Sequence, residues 1–204
     1  MVLSVHAAPG VKSIKELIAL TKAKPGQLNY SATGAGGASH TANELFKSLD
    51  GVNLVRISYK NQSAAMADML GGEGKTVHVG FFSPGVVAPH AKSGKVIALA
   101  VSSVEPSPLA PGLPTMAMAG LPGYEFTSIN GLFAAAKTPD AIINRLNQEI
   151  VRYLRSPAAK EKFLANGVEA IGSSPKELSA AMQSYIAKAT KVINAIKESG
   201  TISN

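Results

Sequence analysis

The chain has 204 residues, 46% hydrophobic and 16% charged, with neither cysteine nor tryptophan, so it can bury a sizeable core as one large or two small domains while disulfides and thiolate chemistry are excluded. Its net charge of +7 favours anionic partners, yet the lysines spread along amphipathic stretches (Lys12, Lys15, Lys22 and Lys24 early, Lys188, Lys191 and Lys197 late) without interleaved aromatics, which reads as a solvated basic surface and not as a nucleic-acid site. No run reaches the roughly 18 apolar residues of a membrane span, and the N-terminus, Met1 followed by VLSV, lacks a secretory signal pattern.

Residues 2–5 read as a short strand. Ser13-Ile-Lys-Glu16 is a capping box that opens a helix to about Ala23, closed by Pro25-Gly26. Residues 28–32 form an apolar, β-leaning run, and 33–37 a glycine-rich turn. The turn feeds a helix whose Ala42, Leu45, Phe46 and Leu49 fall at i, i+3, i+4 and i+7. Strands follow at 54–58 and 77–82. Between them lies a helix over 62–70, with Gly71-Gly72 behind it and Asp68 and Glu73 flanking its end as solvated acids. Pro84 opens a short helix ending at Gly94, and KVIALAVS over 95–102 is a buried strand. The alternation predicts an α/β layer with a mostly parallel sheet flanked by helices.

Composition then shifts. Residues 105–123 hold five of the twelve prolines and read as a long ordered crossing segment, and 126–136 is strand-like again. From there the chain is helical. Thr138-Pro139 caps a helix to Arg155 with Ile142, Ile143, Leu146, Ile150 and Leu154 on one stripe. Ser156-Pro157 starts another, closed by Asn166-Gly167, and Ser174-Pro-Lys-Glu177 opens a last helix ending near Gly200. No internal repeat or low-complexity tract is present.

Strand, glycine turn and helix N-terminus in that order make an anion site, because the first helix amides lack intrahelical partners and the helix dipole is positive there. The dinucleotide fingerprint is not met: Gly34 and Gly36 supply its first half, but Ser39 stands at the third glycine, and His40 and Thr41 replace a P-loop lysine. A small carboxylate or phosphate is favoured over a nucleotide. In a parallel sheet ligands sit beyond the strand carboxyl ends, which brings together the loops at 33–39, 59–62 and 81–85. His6, His40, His78 and His90 show no metal-ligand spacing, and no nucleophile, base and orienter set stands out. Neither catalysis, a metal nor a cofactor is expected. Two readings stand for His40, on the first turn after the glycine loop: a packing residue that hydrogen-bonds the loop, or a direct ligand contact.

These segments, in this order, resemble the substrate-binding receptors of tripartite tricarboxylate transporters, the Bug family of periplasmic proteins. The match runs through VKSIKELIALTKAKPGQLNY, SATGAGGASHTANELFKSLDGVNLVRISYKNQSAAMADMLGG, HAKSGKVIALAVSS, LPTMAMAGLPGYEF, GLFAAAKTPDAIINRLNQEI and NGVEAIGSSPKELSAAMQSYIAKATKVI. The resemblance implies a fold like the type II periplasmic binding proteins, with two α/β domains hinged about a cleft. It implies a small organic acid as ligand, two integral membrane subunits as partners and a periplasmic location. Residues 7–124 would form one complete lobe. Residues 1–6 and 125–204 would supply crossing strands and the C-terminal helical part of an incomplete second domain. Carried over by position, Thr33, Gly34, Gly36, Gly37, Ala38 and Ser39 would offer amides or hydroxyls to a carboxylate. Tyr59 and Lys60 match the family's Tyr-Lys pair, Lys60 adding charge or being simply solvated, and Phe81, Phe82 and Ser83 occupy a loop that usually faces the cleft.

Three departures stand out. The family's first strand and glycine-proline loop, the opposite wall of the cleft, have no counterpart in these residues, so the chain reads as truncated. Ile129 replaces the usual tryptophan. Ala135 and Lys137 replace a proline and a glycine, and His78 an acid. The expectation is a solute-binding receptor or a fragment of one. The alternatives are a non-binding remnant that self-associates through exposed apolar surface, and an enzyme with a phosphate-bearing cofactor, for which the required glycine or lysine is missing.

Overall fold

The alternation expected over residues 1–102 is present in the structure, a computed structural model that describes residues 1–8, 10–71 and 76–198, with the backbone alone over 195–198. Gly72, Glu73, Gly200 and the side chain of Lys197, named above, lie outside the described residues. The chain divides into two compact units, Met1–Thr127 with Ala189–Asn204, and Ser128–Lys188.

The first unit carries β1 (Val2–His6), α1 (Ile14–Ala23), β2 (Asn29–Ala32), α2 (Ala38–Asp50), β3 (Val55–Ser58), α3 (Gln62–Gly71), β4 (Val79–Phe82), α4 (Pro84–Lys92) and β5 (Val96–Val101). The sheet order is β3-β2-β4-β1-β5. β2 runs parallel to β3 and β4, whereas β1 is antiparallel to β4 and β5. The sheet is therefore mixed, with β1 the one strand reversed against its fellows. The carboxyl ends of β2, β3 and β4 share one edge.

Strands covered on both faces read as continuous apolar runs, and β1 and β4 do. Val2 pairs with Phe82 and Val101, and Leu3 with Phe81 and Ala100. Pleating sends the two rows to opposite faces. Val2, Phe82 and Val101 join Ala65, Met66 and Met69 of α3 and Val87 of α4 in one core. On the other face Phe81 stacks on Tyr124, ring centroids 5.7 Å apart, and Tyr124 Oη donates to the Ala42 carbonyl of α2 at 2.9 Å. Gly80 is tightly enclosed: a Cβ there would overlap the Phe82 ring and come within 2.6 Å of Ser31 Oγ, so a larger residue would force a neighbour to shift.

The proline-rich segment forms no helix or long strand, but it is anchored. Thr115 bridges Val101, the Phe126 amide donates to the Ser102 carbonyl at 2.8 Å, and Met116, Leu121 and Tyr124 are buried. The strand expected over 126–136 does not form. Among the described residues no ladder reaches this stretch.

The second unit holds α5 (Asp140–Leu154), α6 (Pro157–Ala165) and most of α7 (Pro175–Glu198). Two of the three expected caps are in place. The Ala159 amide donates to Ser156 Oγ at 3.2 Å. At α7 the Glu177 amide donates to Ser174 Oγ at 3.2 Å, and the Ser174 amide donates back to Glu177 Oε2 at 2.7 Å. Thr138 does not cap α5: its hydroxyl donates to the Ala135 carbonyl at 2.8 Å instead, and the N-cap position falls to Pro139.

Candidate functional site

Three helix N-termini, those of α2, α3 and α4, meet the carboxyl ends of β2, β3 and β4 on one edge of the sheet. Hydrogen bonds hold the three loops together. The Tyr59 amide donates to the Ala32 carbonyl at 2.8 Å, and the Ser83 amide to Gln62 Oε1 at 2.7 Å. Asn61 caps α3, its Oδ1 accepting from the Ala64 amide at 2.8 Å. Among the described residues no helix is long and apolar enough to cross a membrane, and no group of three metal-ligating side chains converges.

The glycine loop turns by means of Gly34 and Gly36, at φ 123° and 74°, conformations that a Cβ disfavours. Several expected donors are engaged within the protein. The Thr33 amide donates to Ser39 Oγ at 3.0 Å, the two hydroxyls lie 3.1 Å apart, and the Gly37 amide reaches the Gly34 carbonyl at 3.4 Å. The Gly36 amide donates to His40 Nδ1 at 3.0 Å. The amides of Gly34, Ala38, Ser39 and His40 meet no protein acceptor among the described residues. Four N–H groups around one helix start, beside two left-handed glycines, can hold a carboxylate without a charged side chain.

The remaining expected positions separate. Ser83 is half-buried at the N-cap of α4, with no side-chain cap bond. Lys60 is exposed. Tyr59 Oη donates to Asp68 Oδ2 of α3, and burial, then that carboxylate, pushes the phenol's pKa up. Phe81 and Phe82 are corrections. Both rings are core, at 0% and 1% exposure, because β4 is covered on both faces. The turn after β4 begins only at Ser83.

The underside of α2 holds a buried polar group that sequence reasoning missed. Tyr30 Oη donates to Glu44 Oε1, to which Lys47 Nζ also donates at 2.8 Å. Lys47 lies 5.5 Å above the Tyr30 ring. Burial, then the Glu44 hydrogen bond, pushes the Tyr30 pKa up. Asn43 Nδ2 donates to the Ser39 carbonyl at 2.7 Å and the Ser31 carbonyl at 3.3 Å, tying the first turn of α2 to the end of β2. A capping signature could have identified Asn61; nothing local marks Asn43, Glu44 or Arg56. His78 lies at the far edge, its Nδ1 accepting from the Asn29 amide at 3.0 Å.

Residues 1–197 match the family described as the tripartite tricarboxylate transporter family receptor. The UPF0065 protein in the tcbD-tcbE intergenic region of Pseudomonas sp. (strain P51) is 30% identical over 193 residues, 94% of this chain and 56% of that protein. BugT of Bordetella pertussis is 32% identical over 177 residues, 87% of this chain and 53% of that protein. The structure is similar to that of R. palustris Rpa4515 with adipate, at a TM-score of 0.84 and 30% identity, covering 95% of this chain and 64% of that one. The chain thus spans about half the length of these curated relatives.

Proposed function

The chain belongs to the tripartite tricarboxylate transporter receptor family, and from that premise we propose that it is a solute-binding receptor, or the larger part of one, that captures a small organic carboxylate for a tripartite transporter. The observation that carries the reading is the set of unpartnered amides at the start of α2, beside the glycine loop. They are donors of fixed direction, and they suit an acceptor that brings its own charge. Thr33, Gly34, Gly36, Gly37, Ala38 and Ser39 form the carboxylate cradle in this reading. In the same reading the His40 amide is a further donor while its ring lies behind the loop, and Tyr59, Lys60 and Ser83 rim the cradle. The adipate-bound neighbour supports a dicarboxylate as the first ligand to try. Delivery to membrane subunits and a periplasmic location belong to the same proposal, supported by the family match.

A thermal-shift screen of the chain against small mono-, di- and tricarboxylates, adipate included, tests this. At a hundredfold excess over Kd, binding contributes about 2.7 kcal/mol, which for a chain of this size raises Tm by roughly 5–10 °C. The rise is selective and is lost in Gly36→Val, whose side chain opposes the φ of 74°. No rise with any acid overturns the reading. A second reading, a remnant that self-associates, is favoured by the exposed apolar residues of the second unit, among them Leu132, Phe133 and Ile142.

A further inference from the structure

The His40 ring faces more donors than it can accept from. It is buried, at 4% exposure. The Gly36 amide points at Nδ1 from 3.0 Å, and Arg56 Nη1 of β3 lies 3.3 Å from Nε2. A backbone amide and a guanidinium only donate, whereas a neutral imidazole has one acceptor nitrogen and one N–H. In either tautomer one ring nitrogen therefore turns its proton toward another donor. A second ring proton would worsen this on both sides. Burial, then Arg56 and Lys47, lowers the ring's pKa, with Glu44 pulling the other way. The two facing donors and the burial all disfavour the charged ring, and the cluster is one acceptor short.

We propose that His40 is a ligand-contacting residue whose tautomer controls access to the glycine loop: with the proton on Nε2 the ring occupies the Gly36 amide, and with the proton on Nδ1 it releases that amide to a carboxylate while Nε2 accepts from Arg56. The proposal rests on the carboxylate reading above and adds how the loop is gated. A carboxylate accepting from both the Gly36 N–H and Nδ1–H supplies the missing acceptor. No net proton is taken up: one leaves Nε2 to solvent and one arrives at Nδ1. The charged groups facing the ring are Glu44 and Lys47 from α2 and Arg56 from β3, and Tyr30 of β2 is engaged with Glu44. Arg56 thereby responds to the ligand without touching it.

The test is long-range proton–nitrogen NMR of the chain with 15N-labelled histidine, with and without saturating adipate, the His40 signals assigned by their loss in His40→Gln. The expected result is an Nδ1 resonance of the unprotonated, pyridine-like type that becomes pyrrole-like on binding. Arg56→Ala, at an exposed position, binds adipate about ten- to a hundredfold more weakly, as loss of one hydrogen bond to a charged group implies, and without adipate its Nδ1 is pyridine-like. If adipate raises Tm but His40 Nδ1 does not change, or is pyrrole-like before adipate is added, the tautomer proposal falls and the carboxylate reading stands. If no carboxylate in the screen raises Tm, both fall.

Discussion

Lys137 is the one non-glycine residue at positive φ among the described residues, at 69°, and it occupies a position where the family resemblance expects glycine. The left-handed region costs an L-residue about 1–2 kcal/mol, and glycine gives back about 0.5–1 kcal/mol through its freer unfolded chain. Lys137→Gly is therefore expected to raise stability by up to about 1 kcal/mol, read as a higher urea midpoint at unchanged slope. A midpoint that does not rise means that the turn, where the Thr138 amide and hydroxyl both reach the Ala135 carbonyl, offsets the strain. The substitution was visible in the sequence, but its backbone conformation was not. Phe82 shows the same division. Its place just before a predicted loop suggested a cleft residue, and only the helices on both faces of β4 made it core.

At the scale of an element, α2 departs furthest from its periodicity. The apolar stripe Ala42, Leu45, Phe46 and Leu49 predicted the buried face. Ala42 and Phe46 are buried, but Leu49 is 42% exposed, and Ser39, His40, Thr41, Asn43 and Glu44 are buried instead. Buried polar groups persist when partners satisfy them, and here β2, β3 and the glycine loop provide Tyr30, Arg56 and the Gly36 amide. The helix is thus docked partly by hydrogen bonds, with Asn43 as a joint whose Oδ1 stays unpartnered. Asn43→Ala leaves the Ser39 carbonyl without that donor and is expected to cost about 1–3 kcal/mol. Because it loosens the first turn of α2, on the proposed reading it also weakens binding of any carboxylate that the screen identifies. Denaturant unfolding together with the thermal-shift screen checks this, and a variant of unchanged stability removes Asn43 from the joint. The glycine turn and helix start over 33–40 were legible because glycines before an amphipathic helix carry a local signal. Which of the loop's amides are already engaged was not legible, since their partners depend on the turn closing.

At the scale of the molecule, the second unit raises a question of cover. α5 has a well-formed apolar stripe, yet none of its residues is buried, with Ile142 at 51% and Leu146 at 50% exposure. Apolar faces of this kind associate or aggregate. The chain on its own is expected to self-associate, seen as a sedimentation coefficient that rises with concentration. Ile142→Lys with Leu146→Lys, both good helix formers, should return it to a monomer. A monomer at every concentration in the unsubstituted chain overturns the expectation.

The sequence by itself determined the α/β alternation, the helix caps at Ser13, Ser156 and Ser174, the glycine loop and the family, because each is written in contiguous residues whose chemistry acts over a turn or less. The tertiary structure alone decided the reversed direction of β1 between β4 and β5, the absence of a strand over 126–136, the burial of Phe82 and the contest of Gly36 and Arg56 for one imidazole. Those features depend on which distant segments become neighbours, and hydrogen-bond and packing energies act only once the neighbours are in place.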